Sequence, residues 1–323
     1  MSWSSIPYET HGKAQAENII RMTPGPTRFA ISCVQDIKSA FELFIPESIQ
    51  KILIDMTNME GRRVFKDNWK MIDKTDLDAY LGLLLLAGVY RSNNEATASL
   101  WDAETGRSIF RATMSLQTFH VISRVIRFDN RETRVARRAA DKLAPIRELW
   151  EKSGLHAMPA AAMRGKPAGG VAEKGQGKRV VLEMTEGLRG HNITCDNFFT
   201  SYALGEELRR RRLTMVGTVK NKPELPAALT GIKNRAALSS KFAFTETTTT
   251  VSYCPRKNKN VIVMSTHHKN AAVSSREDNK PEIILDYNKN KGGVDNLDKV
   301  TGTYTCQRMT ARWPMAVFYN SPH

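Results

Sequence analysis

The chain has 323 residues, of which 41% are hydrophobic and 25% charged, and its net charge is +15. This is the balance of a soluble globular protein, and the length exceeds what one small core needs, so two or three structural units are expected. The longest apolar stretch, residues 80–90, is too short for a bilayer-spanning helix, and the basic charge favours a polyanionic partner, with nucleic acid first.

Residues 1–27 are polar and predict a disordered tail without the apolar core of a secretory signal. Residues 28–152 have a helical pattern throughout. Thr75 and Asp78 predict a capping box at the start of an apolar helix over 76–90. Further helices that bury one face are predicted over 115–127 and 143–152. Four cysteines without pair spacing argue against a zinc module or a disulfide scaffold and fit a reducing compartment.

Residues 153–178 are rich in Gly and Pro and predict a linker. A short strand over 193–195 follows and ends at Asp196. Ser201 can cap a helix that ends near Arg211, and a second strand is predicted over 213–219. This βαβ pattern predicts a parallel pair of strands with Asp196 at the carboxyl end of the first strand, where open α/β sheets bind ligands.

A small β-rich insertion is predicted over about 222–284, with strands at 242–246, 249–254 and 261–265. The last two strands flank a hairpin turn. Gly292-Gly293 then predicts a turn before a short helix that carries Asp295 and Asp298 on one face, three residues apart.

Asp196, Asp295 and Asp298 are the candidate catalytic residues. A two-metal site for phosphoryl transfer needs several carboxylates that converge on shared ions, and Asp196 and Asp295 are the candidate metal ligands. The alternative is structural, because acids at strand ends and helix starts often cap the next turn. From spacing alone the structural alternative is the more common case.

The chain resembles the piggyBac transposase family in an ordered series of motifs. They are Trp101-Asp102, Gly106–Phe110, Arg127–Asn130, Asp141–Arg147, Gly165–Pro167, Thr194–Ser201, Asp286–Asp298 and Arg312–Met315. The resemblance implies an RNase H-like core in which three aspartates bind two divalent ions and drive DNA strand cleavage and transfer. Asp196 matches the second of these aspartates and Asp295 the third, while Asp298 matches an additional acid beside the site. The implied ions are Mg²⁺ or Mn²⁺ if the site is competent.

The family's first catalytic aspartate, in an Asp-Glu-Gln type motif on the first core strand, has no counterpart. The sequence passes from Trp150–Leu155 almost directly to Arg164–Pro167, so the linker replaces the first strands of the core. The nearby acids Glu151, Glu173, Glu183 and Glu186 do not end a β-type run. We therefore expect an α/β protein: a mostly helical N-terminal region for DNA binding and dimerisation, then an interrupted RNase H-like core over 179–323 with an exposed sheet edge. The family's C-terminal zinc domain is absent from this sequence, so no zinc is expected.

Basic residues beside the acids are candidates for phosphate binding. They are Lys289, Lys291, Arg308 and Arg312, and Trp313 beside them is a further candidate for nucleic-acid binding, because it can pack or stack. For Trp313, packing in the core is the favoured alternative. Arg134, Arg137 and Arg138 form another exposed basic loop.

The sequence thus predicts a transposase-derived protein that binds double-stranded DNA in the nucleus, without efficient strand transfer. A homodimer is a possible assembly, and no membrane association is expected. Two alternatives stay open. One is an active DDE-type transposase in which another acid supplies the third ligand, and the other is a non-functional product of a decayed element or a faulty gene model.

Overall fold

The computed structural model describes residues 2–8, 25–152, 174–220 and 223–320. The chain divides into two compact units. We call them the helical unit, from residues 25–165 and 297–323, and the sheet unit, from residues 1–24 and 166–296. Within the described ranges, no helix combines the length and apolar character needed to cross a membrane.

The helical unit opens with a series of short and medium helices. They are α1 (Arg28–Cys33), α2 (Ile37–Phe44), α3 (Glu47–Phe65), α4 (Lys74–Val89), α5 (Thr97–Leu100), α6 (Ser108–Thr113), α7 (Leu116–Val125), α8 (Arg134–Ala140) and α9 (Arg147–Lys152), with a 3-10 turn (Lys66–Asn68) after α3. The predicted apolar helix is confirmed as α4, but the capping box is formed by Asp73 and Asp76 rather than by Thr75 and Asp78.

One apolar cluster forms the core of this unit. Tyr80 of α4 is fully buried, and its ring lies 5.1 Å from that of Phe119 in α7. The Trp101 ring lies 4.9 Å from Phe119, and its indole N–H donates to the carbonyl of Met114 at 2.8 Å. The stripes of apolar residues in the sequence therefore serve as core, as predicted.

The sheet unit contains the predicted βαβ segment. Its elements are α10 (Gln176–Met184), β1 (Asn192–Cys195), α11 (Tyr202–Arg210), β2 (Thr214–Thr218), α12 (Ala227–Thr230), β3 (Ser239–Phe244), β4 (Thr249–Arg256), β5 (Lys259–Ser265) and α13 (Glu282–Thr303), which extends past the end of the unit. Strands β1 and β2 are parallel, with Cys195 beside Gly217, which confirms the predicted pair. The hydroxyl of Ser201 accepts from the N–H of Leu204 at 3.2 Å and caps α11 as predicted.

The three strands of the predicted insertion join the same sheet. The described strand order is β1-β2-β5-β4-β3, and β5 pairs antiparallel with β2. Asn258, in the turn between β4 and β5, has a positive φ of 60°, which suits a tight hairpin. Strand β1 lies at one edge of the described sheet. Among the described strands, β1 has a neighbour on one side only, which is the position where the sequence predicts an exposed edge.

The predicted turn at Gly292-Gly293 is wrong. Helix α13 runs without interruption for 22 residues and includes both glycines. Ile283 and Ile284 anchor its first turn in an apolar cluster. Each glycine lowers the stability of an exposed helix by only about 1 kcal/mol relative to alanine. The flanking helical residues offset this loss.

The predicted bounds of the tail and of the linker also need correction. Residues 2–8 are not a loose tail, because Ser4 forms an antiparallel bridge with Phe244 and the indole N–H of Trp3 donates to the Glu224 carbonyl at 3.0 Å. Residues 9–24, and the predicted linker as far as residue 173, lie outside the described residues, and α10 begins inside the predicted linker at Gln176.

The final helix, α14 (Trp313–Asn320), belongs to the helical unit rather than to an RNase H-like domain that extends to residue 323. Met315 and Phe318 are buried in the helical core, and the Phe318 ring lies 5.0 Å from Phe128. Burial of these apolar side chains decides the assignment, and local sequence pattern could not reveal their partners.

Candidate functional site

Asp196 is an exposed residue directly after β1. Its Oδ1 accepts from the backbone N–H of Phe198 at 2.9 Å and of Phe199 at 3.4 Å. Its carbonyl accepts from the N–H of Thr200 at 3.0 Å and from the Thr200 hydroxyl at 2.6 Å. The carboxylate is thus held at the carboxyl end of a parallel strand, and it also performs the turn-capping role of the structural alternative.

The strand that positions Asp196 is packed tightly behind it. Cys195 is buried, and burial, together with the charge of Asp196, raises the pKa of its thiol to about 12. The thiol is therefore unreactive at neutral pH. In β2, a Cβ added to Gly217 would lie 2.2 Å from the Thr200 hydroxyl oxygen, so glycine is needed for the turn after Asp196 to pack against β2.

Asp295 and Asp298 are both exposed on α13, three residues apart, so they share one face of the helix. Asp295 belongs to the sheet unit with Asp196, whereas Asp298 lies beyond the boundary at residue 296. Among the described residues, no three His, Cys, Asp or Glu side chains form a group that could hold a metal ion. The described donors therefore do not fit a two-metal site, and one ion shared by Asp196 and Asp295 stays a prediction.

The predicted DNA-binding residues fall into two groups. Lys289 and Lys291 are exposed on α13, with the Lys291 Nζ 5.9 Å from the Tyr287 ring centroid. Arg308 instead donates to the hydroxyl of Ser92 at 3.1 Å and to the Ser92 carbonyl, and burial lowers its pKa. This favours a structural role for Arg308.

Arg312 and Trp313 lie at the start of α14. The Arg312 guanidinium donates to the Ile126 carbonyl at 2.7 Å and to the Ser123 carbonyl at 2.5 Å. Trp313 is 41% exposed, so its indole is not fully used in the core. A purely structural role thus accounts for the backbone contacts of Arg312 but leaves much of Trp313 free.

Two buried acids, Glu60 and Asp129, each have arginines around them, and the sequence analysis did not predict either cluster. Glu60 of α3 is 2.7 Å from Arg63, 2.7 Å from Arg127 and 3.2 Å from Arg131. Burial raises the pKa of Glu60, but the hydrogen bond from Arg63 and the charge of Arg127 outweigh this effect and hold the pKa at about 2. Glu60 and Arg127 are 67 residues apart, so only the basic motif around Arg127, and no spacing rule, could have indicated them.

Asp129 is the second buried acid. Its carboxylate accepts from Arg134 at 2.5 Å and from Arg137 at 2.6 Å. The prediction of an exposed basic loop is wrong here, because this segment forms helix α8, and Asp129 partly neutralises Arg134 and Arg137. Such pairs require good geometry because removal of charges from water is costly.

Comparison with known proteins identifies the class. A family model described as Transposase IS4 matches residues 36–154 and 155–321, and the chain belongs to this family of DDE transposases. The two matched segments meet between Gly154 and Leu155, where the sequence departs from the piggyBac pattern.

A solved cryo-EM structure of piggyBac transposase, in a synaptic complex with hairpin DNA, is similar to this chain. The two chains are 27% identical with a TM-score of 0.81, over 93% of this chain and 75% of that chain. Together the comparisons define a piggyBac-type, transposase-derived protein. The α/β class with an RNase H-like core, predicted from the sequence, is confirmed.

Proposed function

We propose that this protein binds double-stranded DNA in the nucleus and does not carry out efficient strand transfer. The proposed DNA binding rests on the family, on the DNA-bound state of the similar piggyBac structure and on the net charge of +15. Lys and Arg side chains that bind DNA phosphates release the counterions condensed on the DNA, and this release favours binding.

The proposed lack of efficient strand transfer rests on the position of β1. This strand ends at Asp196 and lies at the edge of the described sheet. The family's first catalytic aspartate comes from a core strand for which this sequence has no counterpart. Phosphoryl transfer in a two-metal site depends on positioned ions, so the loss of one of the carboxylates that act together removes most of the rate enhancement.

Binding is tested by fluorescence anisotropy with a labelled duplex at several salt concentrations. We expect the affinity to fall steeply as salt increases. Absence of binding at low salt, or affinity that does not change with salt, would contradict the proposal.

Strand transfer is tested by a transposon excision assay in Mg²⁺ or Mn²⁺. The three proteins are the native chain, a chain in which the corresponding piggyBac block is inserted between Leu155 and Arg164, and that restored chain with Asp196→Ala. We expect excision only with the restored block and intact Asp196. Robust excision by the native chain would establish the active alternative, and excision that survives Asp196→Ala would remove Asp196 from the site.

A further inference from the structure

One buried carboxylate oxygen of the sheet unit has no hydrogen-bond donor among the described residues. It is Oδ2 of Asp286, in the second turn of α13, and it is shielded from solvent. The other oxygen of this carboxylate, Oδ1, accepts from the side-chain amide of Asn290 at 3.0 Å. A buried acceptor without a hydrogen bond lowers stability, so a donor that reaches Oδ2 would stabilise this part of the unit.

His268 is the side chain that faces this oxygen. Its Nε2 lies 3.9 Å from Oδ2 of Asp286, too far for a hydrogen bond. Its Nδ1 lies 3.0 Å from the hydroxyl oxygen of Ser265, the last residue of β5. Thr249 donates its hydroxyl to the carbonyl of His268 at 2.8 Å, which fixes the backbone at this position. The ring can therefore change partners while its backbone stays in place.

The hydrogen bonds of Ser265 determine which ring nitrogen carries the proton. The serine hydroxyl oxygen accepts from the backbone N–H of His267 at 3.0 Å and of His268 at 3.2 Å. A hydroxyl has two acceptor positions and one donor proton, so its acceptor positions are both used and its proton is left for Nδ1 of His268. The neutral ring thus accepts at Nδ1 and carries its own proton on Nε2, on the side of Asp286.

A second proton on the ring makes this arrangement unfavourable. The Nδ1–H group then points at a serine oxygen that has no acceptor position left, so the contact with Ser265 is lost. The charged ring also faces a carboxylate oxygen that lacks a donor, and a charge-assisted hydrogen bond between them needs the two atoms only about 1 Å closer. Protonation of His268 therefore exchanges its partner in β5 for one in α13.

The charged groups around His268 set the pH of this exchange. The ring of His267 lies 5.1 Å from that of His268, and Asp286 and Glu282 act on it from α13. Burial lowers the pKa of His268, and the charge of His267 lowers it further, while the two acids act in the opposite direction. Because the folded pKa lies below the ordinary value of 6.5, the neutral ring stabilises the fold above pH 6.5, and this contribution is lost as the pH falls through the folded pKa.

We propose that Ser265, His268 and Asp286 form a pH-sensitive contact between the end of β5 and α13. The neutral ring of His268 accepts from Ser265, and the protonated ring releases Ser265 and donates to Asp286. Acidification thereby ties the second turn of α13, the helix that also carries Asp295, to the end of β5. The three residues belong to the sheet unit, and the contact does not depend on the proposed binding of DNA.

The test is an NMR titration of the full chain with ¹⁵N-labelled histidine between about pH 8 and pH 5. At high pH, His268 should carry its proton on Nε2. Asp286→Asn should lower the midpoint of the His268 titration by about 1 pH unit, because it removes the carboxylate that receives the charged ring. Ser265→Ala should raise the midpoint, because it removes a hydroxyl that binds only the neutral ring. Glu277→Gln is the matched control and should leave the midpoint unchanged, since Glu277 is an exposed acid of the same unit without an ion pair among the described residues.

The backbone amides of α13 provide a second readout, which distinguishes this contact from a histidine that titrates alone. The amide signals of Leu285, Asp286 and Tyr287 should shift with the midpoint of His268 in the native protein and should not do so in Asp286→Asn. A neutral ring with its proton on Nδ1, or an unchanged midpoint in Asp286→Asn, would overturn the proposal. These two results decide the question even if Ser265→Ala does not fold.

Discussion

Replacement of Glu60 by Gln is the sharpest perturbation of the helical unit. Glu60 is 97% buried and is the acid shared by Arg63, Arg127 and Arg131, so the variant leaves three guanidinium groups around a neutral side chain. The folded structure lowers the pKa of Glu60 from 4.5 to about 2. This shift corresponds to about 3 kcal/mol of stability at pH 7, which we expect Glu60→Gln to remove.

The dependence on pH follows from the direction of the shift. Because the folded pKa is the lower one, the contribution of Glu60 is fully present above pH 4.5 and is lost as pH falls towards 2. The difference between native and variant should therefore be largest near pH 7 and should shrink between pH 4.5 and 2. Urea unfolding followed by tryptophan emission is a suitable assay, since four of the five tryptophans, Trp69, Trp101, Trp150 and Trp313, belong to the helical unit.

Glu104→Gln is the matched control, because Glu104 is exposed and its side chain has no ion-pair partner among the described residues. It should change stability by less than about 0.5 kcal/mol. A loss in Glu60→Gln that stays constant across the pH range would refute the electrostatic reasoning and point to packing instead.

Three further variants test the sheet unit and α13. Gly217→Ala should destabilise the sheet unit by roughly 1–3 kcal/mol, measured by hydrogen exchange in β2, because its Cβ would overlap the Thr200 hydroxyl; native protection would contradict the tight packing. Gly292→Ala should increase stability by up to about 1 kcal/mol and raise helicity in circular dichroism, since nothing lies within 4 Å of the added Cβ; lower helicity would argue for a turn. Ser201→Ala should cost about 1 kcal/mol in thermal unfolding and Ser201→Asp much less, because the capping bond to Leu204 is lost only in the first.

Local patterns in the sequence were sufficient to predict β1, α11 and β2. A short apolar run that ends in an acid, followed by a serine cap, specifies a strand, a turn and a helix through contacts between near neighbours. The same patterns predicted Asp196 at the end of β1 and the apolar stripes of α4 and α7. They failed at Gly292-Gly293, because a glycine pair weakens a helix without preventing it.

The sequence by itself therefore determined the strands and helices with strong periodicity, the excess of positive charge and, through its ordered motifs, the family. Only the tertiary structure decided that β5 pairs with β2, that Met315 and Phe318 complete the helical core, and that Glu60 lies among arginines from a distant segment. These outcomes depend on burial and charge pairing between residues far apart in the chain. Such contacts have no fixed spacing in the sequence, so they become visible only once the chain has folded.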